Sequence, residues 1–278
     1  MPWKYSEEYY REYTRATWNE SAKDYSLFMR RLEGVRTDLV ALLAPAPGEQ
    51  ILDLGTGPGE PAMTVAQKVG PDGHVTGIDL SENMIGLAAQ VARIRDIGNV
   101  DFRTMDCSSL DFPRACFDGA LSSFGFQIFT DPESAAKEAH RVLRTTGRIA
   151  VCVWSTGNKT PFLDAIIAPM LEHAEPDETG YLPTPYETGG PGEMVAFLEA
   201  AGFHRASENR HTYLMSFRDE DDYLQTLLKG TPIGHSLSEE STEVQAEVMA
   251  KTRANLKQWV TTEGIALPAE VVFVRASA

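Results

Sequence analysis

Ile51-Leu52-Asp53-Leu54-Gly55-Thr56-Gly57-Pro58-Gly59 is the stretch whose reading decides the fold. Gln50–Leu54 is a short apolar strand that runs directly into a glycine cluster, and Ala62–Val69 behind it is helix-forming and closed by Gly70-Pro71-Asp72-Gly73. Glycine lets a backbone turn sharply and approach a ligand without a Cβ in the way. The stretch therefore reads as strand, ligand loop and helix start.

Working outward, the same rhythm repeats. His74–Asp79 is a second strand and Glu82–Arg95 a second helix; Val100–Thr104 and Gly119–Ser122 are strands; Pro132–Leu143 is a helix, and Thr145-Thr146-Gly147 turns into the strand Arg148–Trp154. Strands alternating with helices of this length imply a parallel sheet with right-handed crossovers. The expected fold class is α/β, a Rossmann-like doubly wound, mostly parallel sheet. One domain over residues 1–278 is expected, with an N-terminal helical lid (1–44), a ligand-binding half (46–155), and the rest of the sheet with a substrate cap (156–278). Residues 5–43 read as one helical stretch bearing Tyr9, Tyr10, Tyr13, Trp18, Tyr25 and Phe28, stopped by Pro45-Ala46-Pro47-Gly48. Residues 156–192 read as an irregular lid, Glu193–Ala201 as a helix, Arg205–Phe217 as a strand, 219–262 as mostly helical and Glu270–Arg275 as the last strand.

A glycine triplet alone also suits a nicotinamide or flavin enzyme. Two acids oppose that reading. Glu60 stands where such a loop has Gly or Ala, and is expected to push a carboxylate toward the helix N-terminus that would hold a pyrophosphate. Asp53 adds a second acid at the strand end. Acids repel a pyrophosphate and suit a cofactor carrying an ammonium and a sulfonium. Asp79 ends the next strand, where an acid reaches both hydroxyls of an adenosine ribose; Ser81 is better placed to cap the following helix, which is expected to leave Asp79 free.

Asp53-Leu54-Gly55-Thr56-Gly57-Pro58-Gly59, Gly77-Ile78-Asp79, Met105-Asp106 and Phe117-Asp118-Gly119-Ala120 resemble the successive motifs of class I S-adenosylmethionine (SAM)-dependent methyltransferases. Phe124-Gly125-Phe126, Asp131-Pro132 and Glu138–Leu143 resemble more narrowly the ubiquinone/menaquinone C-methyltransferase-like group, over about residues 18–155. Thr145-Thr146-Gly147 departs from the Pro-Gly-Gly common there, at a turn remote from the cofactor. The resemblance implies SAM as cofactor, leaving S-adenosylhomocysteine (SAH). It implies that Gly55, Gly57 and Gly59, with Thr56, shape the loop around the methionine part, with Asp53 orienting its ammonium. It assigns the ribose to Asp79 beside Leu80, the adenine amino group to Asp106, a backbone N–H to Cys107, and packing under the adenine to Met84. Ser122 or Ser123 offers a carbonyl near the methionine moiety, and Tyr25 covers the cofactor from the N-terminal helix.

Methyl transfer is an in-line displacement in which the cofactor carries the activated group, so a protein base is optional. Of six histidines, His140, His74 and His204 read as structural; His211, then His235, then His173 are the candidates for a base facing the cap. Phe124, Phe126 and Gln127 follow the fourth strand and are expected to line the acceptor pocket. No metal site is read: the acids around His173 (Glu172, Glu175, Asp177, Glu178) and Asp219–Asp222 read as solvated helix ends.

The remaining composition bounds the partners. Forty acids against 25 bases give a net charge of −15, the wrong sign for a nucleic-acid substrate. Three cysteines without CxxC spacing fit reduced thiols, and the start MPWKYSEEYYREY has no apolar segment of a secretory leader. A cytoplasmic enzyme (EC 2.1.1.-) acting on O, N, S or C of a small-molecule acceptor, with no nucleic acid and no membrane span, is expected; a homodimer is left open. The alternatives are a non-catalytic SAM-binding or interaction module, and a nicotinamide-dependent oxidoreductase.

Overall fold

The computed structural model describes residues 7–174, 186 and 188–278. Its N-terminal part is three helical pieces rather than one: α1 (Glu7–Ser21), α2 (Ser26–Met29), a 3-10 turn (Arg30–Leu32) and α3 (Glu33–Leu43). The break at Ala22–Tyr25 is a turn closed by the N–H groups of Asp24 and Tyr25 on the Ser21 carbonyl, 3.1 and 2.9 Å. It lets α1 lie against a helix on one side of the crevice while α3 packs on the sheet itself.

The sheet that follows is built from β1 (Gln50–Leu54), α4 (Ala62–Val69), β2 (His74–Asp79), α5 (Glu82–Ile94), β3 (Val100–Thr104), β4 (Phe117–Ser123), α6 (Pro132–Val142) and β5 (Leu143–Trp154). Then come α7 (Pro161–Leu171), α8 (Glu193–Ala200), β6 (His204–Phe217), α9 (Glu220–Gly230), α10 (Ile233–Ser238), α11 (Thr242–Leu256), β7 (Val260–Thr261) and β8 (Gly264–Ser277). Strand order is β3-β2-β1-β4-β5-β8-β6, with β7 paired to β8. The first five strands are parallel; β8 runs antiparallel between β5 and β6. Pairing on both sides explains why β8 extends well beyond the expected Glu270–Arg275. The doubly wound, mostly parallel sheet is as expected.

Alternate residues feed opposite faces, as the strand period requires. Val271 and Phe273 join the core under α3, α4 and α7, while Val272 and Val274 join the core under α6 and α8. A sheet buried on both faces needs continuous apolar strands, which is what Ile51-Leu52 and Val271–Val274 supply.

The stretch expected to be an irregular lid contains α7, with Phe162, Leu163, Ile166 and Ile167 buried. Pro161 sits at the first helical position, where its missing N–H costs nothing. The helix is apolar on more than one face because it packs between β8 and α11. Glu175, Asp177 and Glu178 lie outside the described residues. Asp219 caps α9 by accepting the Asp222 N–H (2.8 Å), and Asp222 pairs with Arg31 at 2.9 Å. Among the described residues, no helix is long and apolar enough to cross a membrane.

Candidate functional site

The strand order reverses at β1, so a crevice opens beyond the carboxyl ends of β1 and β4, where open α/β sheets bind ligands. The glycine loop sits at this point. Gly55, Gly57 and Gly59 have φ of +71°, +54° and +94°, the left-handed region open to glycine at no steric cost. Three N–H groups of the loop already have acceptors inside the protein. Gly55 faces the Cys107 sulfur, Thr56 donates to Ile78 O (2.8 Å), Gly57 to Asp79 Oδ2 (2.8 Å) and Gly59 to Thr56 O (3.0 Å). A pyrophosphate would need those same donors, so the dinucleotide reading does not fit.

The two acids used against a dinucleotide behave differently from the expectation. Glu60 turns away: its carboxylate pairs with Arg95 at the end of α5 and accepts the Thr64 hydroxyl at 2.9 Å. Asp53 is fully buried and does not reach the cavity wall, so it is not positioned to orient an ammonium; Oδ2 accepts the Thr56 hydroxyl at 2.7 Å and Oδ1 is buried without a partner. Burial raises its pKa to about 7, while the Thr56 hydroxyl and the Ala62 backbone N–H favour the ionised form. Thr56 serves Asp53 rather than a ligand. Gly59 also faces inward: a Cβ there would meet Met63 Cε at 2.5 Å and Phe102 Cζ at 2.9 Å.

Asp79 is not free. Its Oδ1 accepts the Ser81 N–H (2.9 Å) and Oδ2 the Gly57 N–H, while Ser81 caps α5 by accepting the Met84 N–H (3.1 Å). Burial raises the Asp79 pKa and these backbone donors oppose the shift. The carboxylate still lines the cavity, and each oxygen keeps a second lone pair.

The cavity encloses about 770 Å3. Gly55, Gly57, Asp79, Leu80 and Met84 form one wall of it, and Asp106, Cys107 and Ser123 continue that wall. Tyr25 closes it from above, its Cε1 3.7 Å from where a Gly57 Cβ would stand. Burial pushes the Tyr25 hydroxyl and the Cys107 thiol well above their ordinary pKa values, so neither is a base. Asp106 accepts from the Ser108 N–H and hydroxyl through Oδ1 (2.8 and 2.7 Å), and its Oδ2 lies 2.8 Å from Arg11 Nε of α1. Ser122 does not line the cavity, because its hydroxyl is drawn to Leu54 O (2.8 Å).

On the far side, Phe124, Phe126 and Gln127 all line the cavity. Phe124 sits at φ +61°, a strained conformation for a bulky side chain, and stacks on Trp154 with ring centroids 4.1 Å apart. Gln127 uses its side-chain oxygen to accept the Trp154 N–H at 2.8 Å. The histidine candidates fail. His211 lies exposed on the edge strand β6, its ring tilted against Tyr213 with centroids 4.5 Å apart; two strands beyond β5, it stands away from a crevice that opens over β1 and β4. His235 is drawn to Glu20 (2.9 Å) outside the cavity, and His173 sits 3.7 Å from Glu247; none of the six histidines lines the cavity.

Sequence reasoning missed the apolar half. Leu163, Ile167, Met170 and Leu171 of α7 line the cavity at helical spacing, with Val244 and Val248 of α11 facing them. The spacing itself was the available signal. Four carboxylates line the whole cavity (Asp79, Asp106, Glu133, Glu240), and among the described residues no Lys, Arg or His does.

A methyltransferase-domain family model matches residues 45–186. Nocamycin O-methyltransferase of Saccharothrix syringae is 33% identical over 181 residues, 61% of this chain and 64% of its own length. Demethylmenaquinone methyltransferase of Listeria welshimeri is 31% identical over 115 residues, 41% of this chain and 49% of its own. The chain thus spans less than two thirds of either relative. Phosphoethanolamine N-methyltransferase 2 of Haemonchus contortus, solved with phosphomonomethylethanolamine and SAH, has a TM-score of 0.60 at 16% identity, covering 96% of this chain and 59% of that one.

Proposed function

Since this chain belongs to the class I, SAM-dependent methyltransferase family, we propose that it transfers a methyl group from SAM to an O, N, S or C atom of a small organic acceptor, in the cytoplasm. The observation that carries this reading is the charge of the cavity: four lining carboxylates, no lining Lys, Arg or His among the described residues, and a glycine loop whose Thr56, Gly57 and Gly59 N–H groups are already engaged within the protein. Such a lining suits an adenosyl donor bearing an ammonium and a sulfonium. Three unpaired cysteines, Cys107, Cys116 and Cys152, support a reducing compartment.

The residues divide the work. Asp79 holds the ribose hydroxyls through the lone pairs left by Gly57 and Ser81. Asp106 accepts from the adenine amino group, and Leu80 and Met84 pack against the base. Gly55 and Gly57 let the backbone run close along the methionine part, Ser123 stands at the end of β4, and Tyr25 covers the loop. The bound cofactor supplies a methyl group already activated on a positive sulfur. The protein then aligns an acceptor and excludes water, an effect that can supply about 7–11 kcal/mol. The Phe124–Trp154 stack and α7 form the surface that does this. The acceptor's O, N, S or C atom is the nucleophile that displaces SAH from the methyl carbon.

Calorimetric titration with SAH and with NADH tests the reading. Saturable SAH binding and no NADH binding are expected; binding of NADH alone would overturn it.

A further inference from the structure

The acceptor half of the cavity has a definite chemistry. On α7, Leu163, Ile167, Met170 and Leu171 present one continuous apolar stripe, and Val248 of α11 faces it. The Phe124–Trp154 stack closes the inner end as a flat aromatic surface. Flat apolar walls of this kind favour a ring system, which gains both burial and offset stacking.

Charge narrows the class further. Moving a carboxylate, phosphate or sulfate out of water is costly unless a cation or several donors receive it. No Lys, Arg or His lines the cavity among the described residues. Glu133 and Glu240 line it as exposed acids, so an approaching anion also meets repulsion. A polar group on this side such as the hydroxyl of Thr14 can serve a neutral hydroxyl, carbonyl or amine.

Resting on the methyltransferase reading, we propose that the acceptor is a bulky apolar ring-bearing molecule that carries no carboxylate, phosphate or sulfate group. The α7 stripe and the Phe124–Trp154 surface select the ring, and the described lining offers an anionic group no cation of the protein's own.

A matched probe pair tests this: 2-naphthol and 6-hydroxy-2-naphthoate, titrated calorimetrically into the full chain with and without saturating SAH. The neutral naphthol is expected to bind at least tenfold more tightly than the carboxylate. Equal or tighter binding of the carboxylate, or no naphthol binding to SAH-loaded protein, overturns the proposal. Failure of SAH to bind would instead strike the cofactor reading, and the titrations without SAH still report the charge preference. Met170→Lys, at a half-buried position that tolerates a long polar chain, places a cation in the wall. It is expected to shift the preference at least threefold toward the carboxylate; an unchanged ratio counts against the proposed wall.

Discussion

Asp79 Oδ2 accepts the Gly57 N–H at 2.8 Å, joining the glycine loop after β1 to the end of β2. The other oxygen accepts the Ser81 N–H at 2.9 Å, so one carboxylate fixes both turns that border the crevice. A hydrogen bond to a charged group is worth about 1.5–3 kcal/mol, which makes Asp79 a structural brace as well as the residue proposed to hold the ribose.

Asp79→Ala is expected to weaken SAH binding by on the order of 1–3 kcal/mol and to lower the unfolding free energy by a similar amount. Asp79→Asn retains one acceptor oxygen but replaces the other with donors that oppose the backbone N–H groups, so it should fall between the two. Calorimetry and urea unfolding read the two effects separately. An unchanged SAH dissociation constant in Asp79→Ala removes the ribose assignment.

Gly57 and Gly59 should respond differently to the same substitution. At Gly57 an added Cβ meets only Tyr25 at 3.7 Å, so Gly57→Ala carries the left-handed strain of about 1–2 kcal/mol and intrudes on the cavity. At Gly59 the Cβ would press on Met63 and Phe102 inside the core, adding overpacking of about 1–3 kcal/mol to that strain. SAH affinity should fall more in Gly57→Ala, and the melting temperature more in Gly59→Ala. The reverse order would mean that Gly59, not Gly57, faces the ligand.

The contrast between these glycines also shows what the sequence could convey. The strands Gln50–Leu54, His74–Asp79 and Val100–Thr104 were legible to the residue, because a glycine turn stands just before each of them, at Gly48, Gly73 and Gly98. The charge of Glu60 was legible too, but its partner Arg95 lies 35 positions away, so its direction was not. Pro161–Leu171 escaped because burial on two sides removes the amphipathic contrast that marks a helix. The break at Ala22–Tyr25 carries neither Gly nor Pro to announce it. His211 misled because period-2 alternation tells which faces a strand has, and not where in the strand order it falls.

Asp53 predicts a pH dependence of stability with a definite sign. Its folded pKa is raised from 3.8 to about 7, so between those values the folded state binds a proton that the unfolded chain has released. The favourable contribution is fully present below about pH 4 and is lost as pH rises through about 7, on the order of 4 kcal/mol in all. Asp53→Asn cannot ionise. The difference in unfolding free energy between variant and natural chain should therefore move in the variant's favour from pH 5 to pH 8 and level off above. Urea titrations at four pH values measure it; a difference independent of pH would show that the buried carboxylate keeps an ordinary pKa.

Arg11 and Asp106 offer the last test, because the acid assigned to the adenine amino group is also paired with the N-terminal helix. The pair is partly exposed, 42% for Arg11 and 23% for Asp106, so it should contribute only about 0–1 kcal/mol to stability. Arg11→Ala should then leave the melting temperature nearly unchanged, loosen α1 over the cavity, and speed SAH release in stopped-flow traces. Asp106→Ala removes the same ion pair and an adenine acceptor together, so it should also weaken SAH binding at equilibrium, by about 1–3 kcal/mol. The double variant separates the two roles. If Arg11→Ala alone weakens SAH as much as Asp106→Ala, and the double variant adds nothing, then Asp106 serves the helix and not the adenine, because a contact made directly to the base survives loss of the arginine.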